Sequence, residues 1–332
     1  MDQTALWNDH FADHYAHDPR AERIWHRVGV DRRHGVADPR TDDISDWSTG
    51  QRMRRFVDEA LPLGREAISR CLDRAQLAPE EVGQLTVATC TGYATPGLDI
   101  LLARDLGMSA RTQRLHVGHM GCYAAIPALA ATADAAAARG RTGVLLCVEL
   151  TSLHAQPAAG PDPDMQQVVA HALFSDAAAA VAVRPSGAGP RVVDVVSRTD
   201  VEHALLMRWD ITDLGFRMGL SPEVPDVLSQ HVEGAVDELL TGSGLHRRDV
   251  VHWAIHPGGP AIIDVVAERL GLDDEAVRVS REVLAEHGNC SSATILLILD
   301  RIMREADIGP GDPIVAMAFG PGLTLYAALL RG

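Results

Sequence analysis

An internal repeat constrains the fold of this chain more than any other feature of its sequence. The segment QLTVATC at 84–90 leads through a glycine-containing loop into LDILLARDLGM, and VVHWAIH at 250–256 leads through PGGP into AIIDVVAERLGL. Further along, GCYAAIPALAATADAAAA from Gly121 parallels GNCSSATILLILDRIMREA from Gly288. Each copy combines a short apolar strand pattern, a turn and stretches of helical period. Self-similarity of this kind predicts two copies of one structural unit.

The repeat places chemically active residues at equivalent positions. Cys90 and Cys122 are 32 residues apart in the first copy, and His256 and Asn289 are 33 residues apart in the second. A pseudo-twofold axis between two such units would bring strand ends and helix starts to one midline, where ligand sites of open α/β sheets lie. The sequence therefore predicts a duplicated, layered α-β-α-β-α fold with its functional site between the halves.

The remaining patterns divide the chain into halves at 1–186 and 187–332, within the turn-rich run 185–190. A strand opens the second half, whereas the first half begins with the helical pattern MDQTALWNDHFADHY, so we expect its leading strand to be missing or supplied by another segment. The predicted strands are 85–89, 144–149, 178–183, 192–197, 251–256, 314–319 and 323–329, and the predicted helices are 5–16, 52–76, 98–106, 122–138, 223–240, 260–270 and 290–305.

The composition argues against several classes of function. The net charge of −15 and the scattered arginines oppose nucleic-acid binding, and the absence of lysine excludes Schiff-base and P-loop lysine chemistry. The five cysteines include no CxxC pair, so neither a disulfide framework nor a metal site is predicted. The sequence has no membrane-length apolar run and no signal-peptide pattern, and we expect a cytoplasmic enzyme.

Cys122 is the candidate nucleophile. It follows a glycine at the predicted start of a helix, where unpaired N–H groups and the helix dipole favour a thiolate and lower the pKa of the thiol. His256 ends a strand and Asn289 begins a helix, so an imidazole and an amide are available to hold a proton or an oxyanion. Taken singly, these residues also fit an inert buried cysteine, a structural histidine and an asparagine N-cap.

Several motifs resemble those of chalcone and stilbene synthase-like type III polyketide synthases in order and spacing: GCYAA, VELTS, ALFSDAAAA, IHPGG, GNCSSAT and FGPGLTL. The resemblance implies a homodimeric thiolase fold and a Cys-His-Asn triad that matches Cys122, His256 and Asn289. The implied activity is an acyltransferase of secondary metabolite biosynthesis that condenses malonyl-type extenders onto an acyl-CoA starter by decarboxylative Claisen chemistry. Coenzyme A thioesters would be its substrates, and no further cofactor is implied.

The resemblance also implies roles for residues outside the triad. Phe174 and Phe216 match gatekeeper phenylalanines between the coenzyme A tunnel and the reaction cavity, where aromatic walls desolvate a carboxylate and favour loss of carbon dioxide. Arg32 and Arg33 match a basic stretch that meets the coenzyme A phosphates, and Arg27 is a further candidate. The positions that match cavity-lining residues are Cys90, Thr95, His154 and Ser291.

Departures from the family pattern point to an altered cavity. His154 replaces a small hydroxyl residue of many members, and Thr95 stands where plant members place a methionine contributed across the dimer interface. Ala177 and Ala318 replace glycines of the family motifs, and each adds a Cβ at a turn. We therefore expect a reshaped and narrower cavity.

Several alternatives stay open from the sequence. A ketosynthase III-like enzyme or acyltransferase uses the same residue types for one condensation or none. A non-catalytic thiolase-fold partner subunit would not require an intact triad, and a cysteine hydrolase would share neither the repeat nor the motif order. The sequence also leaves open whether coenzyme A or an acyl carrier protein carries the thioester.

Overall fold

A computed structural model describes residues 1–156 and 162–332 of the chain. Strands and helices alternate along it, as the periodic patterns predict. The strands are β1 (Gln84–Ala88), β2 (Gln113–Val117), β3 (Gly143–Glu149), β4 (Ala177–Val183), β5 (Arg191–Thr199), β6 (Met207–Thr212), β7 (Gly215–Leu220), β8 (His252–Ile255), β9 (Pro313–Gly320) and β10 (Thr324–Arg331). The helices are α1 (Gln3–Leu6), α2 (Ala12–His14), α3 (Pro19–Trp25), α4 (Thr49–Ala75), α5 (Leu98–Asp105), α6 (Ala125–Arg139), α7 (Met165–Leu173), α8 (Val224–Thr241), α9 (Pro260–Leu270), α10 (Asp274–His287) and α11 (Ala293–Glu305).

The predicted helix at 5–16 is wrong in one respect, because a π-helical turn at Trp7–Phe11 separates α1 from α2. The turn presents both of its aromatic ends to Trp25, whose ring centroid lies 5.5 Å from that of Trp7 and 4.5 Å from that of Phe11. The sequence patterns also missed β2, because its side chains are largely exposed and show no apolar alternation. Among the described residues, no helix is both long and apolar enough to span a membrane.

The two main sheets repeat one topology. Their strand orders are β2-β1-β3-β4 and β5-β10-β9-β8. In the first sheet β1 is parallel to β3, and β4 is antiparallel to β3; in the second, β8 is parallel to β9, and β10 is antiparallel to β9. The strands β1, β3 and β4 therefore correspond to β8, β9 and β10, as expected for a duplicated unit.

Two helices form a central layer between these sheets. One apolar cluster joins Leu129 of α6 and Ile298 of α11 to Leu145 of β3 and Ala316 of β9. The outer face of the first sheet is covered by α4 and α5, and that of the second by α8 and α9, while α10 packs along the edge strand β8, where Ser280 Oγ accepts the Ile255 N–H at 3.0 Å. The predicted α-β-α-β-α layering is thereby confirmed, and the proposed boundary at 186/187 lies in the loop between β4 and β5.

The two sheets differ at one edge. In the second sheet β10 lies between β9 and β5, whereas among the described residues β4 pairs only with β3. The outer edge of β4 thus has no strand at the position that β5 occupies in the other half. This is the position at which the sequence predicts that the first half lacks its leading strand or takes it from another segment.

Candidate active site

Cys122 lies in a tight turn that glycine makes possible. The residue sits in a 3-10 turn at Gly121–Tyr123 immediately before α6 and is only 5% exposed. Gly121 adopts a φ of +69°, and a Cβ there would lie 2.5 Å from Pro321 Cδ. A Cβ on Gly320, at the end of β9, would lie 3.2 Å from the amide nitrogen of Cys122. The thiol is therefore enclosed between the turn of the first half and the β9–β10 loop of the second.

The main chain around Asn289 orients its amide toward Cys122. The Asn289 N–H donates to the Leu173 carbonyl at 2.9 Å, and Asn289 Oδ1 accepts the Ser291 N–H at 2.8 Å. The oxygen side of the amide is thus occupied, which leaves Nδ2 as the available donor. Burial raises the pKa of the Cys122 thiol to about 12, while hydrogen bonds from the Ser291 and Asn289 side chains oppose this rise.

The prediction that the helix start lowers the pKa of Cys122 is therefore wrong, because burial has the larger effect. The thiol is fully desolvated, and desolvation disfavours the thiolate more than its hydrogen bonds favour it. Sequence position alone indicated the helix start but not the depth of burial. A reaction through Cys122 consequently needs a nearby group that accepts its proton.

His256 supplies an imidazole with free nitrogens. It follows β8, its N–H donates to the Met317 carbonyl of β9 at 2.8 Å, and its side chain is fully buried. Neither Nδ1 nor Nε2 has a hydrogen-bond partner among the described residues. Burial lowers the pKa of His256 to about 3, so the ring is neutral. Unpartnered buried nitrogens are costly, and such a group in a native site indicates a functional demand.

Phe216 is held by His154. The two rings stack with centroids 4.5 Å apart and planes 9° apart, and the Phe216 N–H donates to His154 Nδ1 at 3.0 Å. Since Nδ1 accepts, Nε2 carries the proton and donates to the Thr91 carbonyl at 2.7 Å. Burial lowers the pKa of His154 to about 4, which keeps this tautomer uncharged.

Trp209 completes the aromatic wall, and sequence reasoning missed it. Its indole N–H donates to the Cys90 carbonyl at 2.8 Å, and its ring meets His154 edge-on at 5.5 Å. The wall borders a cavity of about 70 Å³ that Phe174, Phe216 and the N-terminal helices also line. Cys122, His256 and Asn289 do not line it. No sequence motif marks Trp209, because its role depends on a hairpin partner and a distant loop.

Cys90 and Ser291 lie together beside a buried carboxyl group. Cys90 Sγ is 3.4 Å from Ser291 Oγ and 3.5 Å from Glu149 Oε2. The Glu149 carboxyl accepts hydrogen bonds from Ser292 Oγ at 2.5 Å and from Thr91 Oγ1 at 2.9 Å. Burial raises the pKa of Glu149 despite these donors. Sequence reasoning used Glu149 only as part of the VELTS motif and did not assign it to the site.

Thr95 does not lie with the other predicted cavity residues. It is exposed, and its hydroxyl donates to the Tyr93 hydroxyl at 3.3 Å on the surface beside α5. Its predicted position across a dimer interface stays a prediction. Within this chain the cavity residues that come together near the site are Cys90, His154 and Ser291.

The predicted contact of Arg33 with coenzyme A phosphates is wrong for a physical reason. Arg33 is 5% exposed, and its Nε donates to Gln3 Oε1 at 2.8 Å. Its other donors are occupied by carbonyl groups of the α7 end. Arg32, in contrast, is exposed and remains available to an anion. Adjacent arginines cannot be told apart by charge alone, because only the fold decides which one is buried.

A thiol enclosed at the junction of two copies of one α/β unit, with an imidazole and an amide from the second copy, defines a class: acyl-transferring enzymes of the thiolase fold. Family models for chalcone and stilbene synthases match residues 37–190 (N-terminal domain) and 199–332 (C-terminal domain). The chain therefore belongs to the chalcone and stilbene synthase family, and it is a type III polyketide synthase. Its activity is the decarboxylative condensation of malonyl-type units onto an acyl-CoA starter, as predicted.

Similar proteins support this assignment along nearly the whole chain. The 3,5-dihydroxyphenylacetyl-CoA synthase of Streptomyces toyocaensis is 36% identical over 95% of this chain and 83% of the relative. The 1,3,6,8-tetrahydroxynaphthalene synthase of Streptomyces peucetius is 35% identical over 93% and 82%. The crystal structure of 1,3,6,8-tetrahydroxynaphthalene synthase from Streptomyces coelicolor A3(2) superimposes with a TM-score of 0.90 at 27% identity, covering 99% of this chain and 93% of that one.

Proposed function

We propose that Cys122 carries the growing acyl chain, that His256 exchanges the proton of its thiol, and that Asn289 donates to the oxyanion. Two observations support this proposal: the buried Cys122 thiol is hydrogen-bonded by the Ser291 and Asn289 side chains, and neither ring nitrogen of the buried His256 has a hydrogen-bond partner among the described residues. The neutral imidazole has a lone pair that can accept a proton, but burial disfavours the imidazolium and the thiolate taken singly, so the transfer requires that the two charges form together and stabilise each other. The amide Nδ2 of Asn289 supplies the donor that acyl transfer requires.

The reaction then proceeds in two stages. Cys122 gives its proton to His256 and attacks the starter carbonyl, and the tetrahedral oxyanion collapses with departure of coenzyme A, which takes that proton. The extender next loses carbon dioxide, and the electron pair of the broken carbon–carbon bond becomes an enolate stabilised by donors from His256 and Asn289. The enolate carbon attacks the acyl-cysteine carbonyl, and the Cys122 thiolate leaves.

Phe174 and Phe216 are proposed to form the gate at which the extender carboxylate loses its water. Phe174 directly follows α7 and pairs with Asn289 in an isolated β-bridge, so the gate ring and the oxyanion donor share one backbone contact. Phe216 is fixed by its stack on His154. An apolar wall destabilises a carboxylate relative to neutral carbon dioxide and so favours decarboxylation.

Exposed arginines in and just after α3 are proposed to meet the phosphates of coenzyme A together with Arg32. Arg23 lies on α3 and Arg27 lies just beyond its end, and both are exposed; Arg20, also exposed, is already paired with the Asp18 carboxylate at 2.8 Å. The segment after α3 approaches the loop after His256, because a Cβ on Gly29 would lie 3.9 Å from Pro260 Cβ. A positive face at this point offsets the net charge of −15, which otherwise repels an anionic thioester. An acyl carrier protein is the alternative to coenzyme A as the thioester carrier, and both are to be tested.

A homodimer through the edge of β2 is proposed as the assembly. The side chains of β2 are mostly exposed, and large apolar groups lie exposed around it: Tyr93 is 67%, Ile100 41% and Leu115 37% exposed. Clustered exposed apolar groups at a free strand edge favour a protein interface. A second copy at this edge would also cover Thr95. The free cysteines among the described residues favour a reducing, cytoplasmic location.

The test combines substrates with mass spectrometry. Incubation with acyl-CoA starters and carboxyl-labelled malonyl-CoA should release labelled carbon dioxide and give extended products, with the acyl group on the peptide that contains Cys122. Cys122→Ser should abolish acylation while retaining the fold by circular dichroism. Acyl transfer without carbon dioxide release would favour the ketosynthase III-like or acyltransferase alternative, and no reaction with coenzyme A or carrier-protein thioesters would favour a partner subunit. An acyl group on another cysteine would refute the assignment of Cys122.

A further inference from the structure

Arg33 is a buried charged residue whose guanidinium contacts an aromatic ring, a side-chain amide oxygen and backbone carbonyl groups. Its guanidinium lies over the Trp25 ring, 5.0 Å from the centroid, and burial lowers its pKa to about 9. Gln3 Oε1 accepts from both Nε at 2.8 Å and Nη2 at 2.6 Å. The Asp176 carboxylate raises the pKa of Arg33 through its charge and so opposes the larger effect of burial. The charge is therefore stabilised mainly by dipoles and an aromatic face, with a contribution from Asp176.

The remaining donors of Arg33 go to the end of α7. Nη1 donates to the His171 carbonyl and, at 3.2 Å, to the Phe174 carbonyl, and Nη2 donates to the Ala172 carbonyl. These carbonyls belong to the last turn of the helix and to the residue after it, where backbone acceptors lack helical partners. A cation at a helix C-terminus also interacts favourably with the helix dipole. Arg33 thus acts as a C-terminal cap supplied by a distant part of the chain.

The capped segment carries two elements of the proposed site. Phe174 follows α7 directly, and the residues on either side of it bond to Asn289: the Asn289 N–H donates to the Leu173 carbonyl at 2.9 Å, and the Ser175 N–H donates to the Asn289 carbonyl at 3.0 Å. A shift at the end of α7 would therefore move the Phe174 ring and the Asn289 backbone together. A displacement of about 1 Å is enough to cost on the order of 100-fold in rate.

We propose that Arg33 is a positioning residue for decarboxylation, because its cap on α7 fixes the Phe174 ring and the Asn289 amide relative to each other. The inference rests on the roles proposed above for Phe174 and Asn289. Other contacts hold the same segment, since the His34 N–H donates to Ser175 Oγ at 2.8 Å and the Asp176 N–H donates to the His34 carbonyl at 3.0 Å. Loss of the Arg33 fork should hence loosen the site without unfolding the chain.

The test measures malonyl-CoA decarboxylation in Arg33→Met and Arg33→Lys. Lysine keeps the charge but cannot present the planar fork, so both variants should lower kcat by about 100-fold with little change in KM. Arg32→Met, at the exposed neighbour, should instead raise KM in a salt-dependent way with kcat retained. Arg248→Met, at an 80% exposed side chain far from the site, is the control that should change neither constant.

Two outcomes would overturn the proposal. A salt-dependent rise in KM with unchanged kcat in Arg33→Met would return Arg33 to phosphate binding. A lower Tm with both constants unchanged would leave it a structural role only. If Arg33→Met does not fold, Gln3→Met removes the shared acceptor while keeping the arginine and should lower kcat in the same direction. Asn289→Ala distinguishes a failure of the proposed role of Asn289 from a failure of the proposed role of Arg33. If Asn289→Ala retains full decarboxylation, the proposed role of Asn289 is wrong. If Asn289→Ala is inactive while Arg33→Met is fully active, only the inference about Arg33 is wrong.

Discussion

Replacement of His154 tests whether the wall at Phe216 is held by hydrogen bonds or by ring packing. In His154→Phe the stack on Phe216 can persist, but the Phe216 N–H and the Thr91 carbonyl each lose a buried partner. An unsatisfied buried backbone group costs about 1–3 kcal/mol, so the variant should lose roughly 2–6 kcal/mol of unfolding free energy. At about 2 °C per kcal/mol for a chain of this size, the Tm should fall by roughly 4–12 °C.

His154→Gln is the matched comparison. Glutamine offers a carbonyl acceptor and an NH2 donor group, so it can serve both Phe216 and Thr91 while it loses the ring stack, which is worth about 0.5–1.5 kcal/mol. Urea unfolding at neutral pH under reducing conditions, followed by circular dichroism and by tryptophan fluorescence, should give the stability order wild type, His154→Gln, His154→Phe. The reasoning is refuted if His154→Phe unfolds within about 1 kcal/mol of the wild type, or if it is more stable than His154→Gln.

Further predictions concern pH, substrate entry and assembly. Burial lowers the pKa values of His154, His171 and His256 to about 4, 3 and 3, below the ordinary value of 6.5. The stability that these neutral rings contribute is complete above pH 6.5 and is lost as the pH falls, at up to about 1.4 kcal/mol per pH unit for each ring. Urea midpoints should therefore decrease from pH 6.5 to pH 4.5, and a flat profile would contradict neutral buried rings. Arg27→Ala should raise KM for coenzyme A thioesters several-fold at low salt and less at 0.5 M salt, and a salt-independent KM would argue against a phosphate contact. Leu115→Arg should convert a dimer to a monomer in analytical ultracentrifugation, and an unchanged sedimentation coefficient would place the interface elsewhere.

The fold could be predicted from the sequence because its determinants are local and repeated. The strand ends before Cys90 and His256 and the helix starts at Cys122 and Asn289 are set by short apolar runs and by glycine turns, all visible in one segment at a time. Equal spacing in the two copies then indicated which ends would meet. The positions of strands such as Gly143–Glu149 needed no knowledge of their neighbours.

The features that the sequence did not reveal depend on contacts between distant segments. The burial of Arg33 requires carbonyls 138 to 141 residues away, and the neutral tautomer of His154 requires an N–H 62 residues away. Trp209 and Glu149 belong to the site through similar long-range bonds, with Cys90 as a common neighbour. Burial also reversed the expected direction of the Cys122 pKa, because a helix start predicts local dipoles but not the extent of desolvation.

The unpaired side of β4 has a consequence for how this protein behaves in solution. Its seven residues, Ala177–Val183, are only alanine and valine, without a charge or a proline to discourage another strand from adding to them. Every second backbone N–H and C=O along that side has no strand partner among the described residues, so a foreign strand could extend the sheet wherever the packing of α4 against β4 leaves these groups accessible. Self-association would then begin from the folded state, and conditions that merely raise the melting temperature would not suppress it.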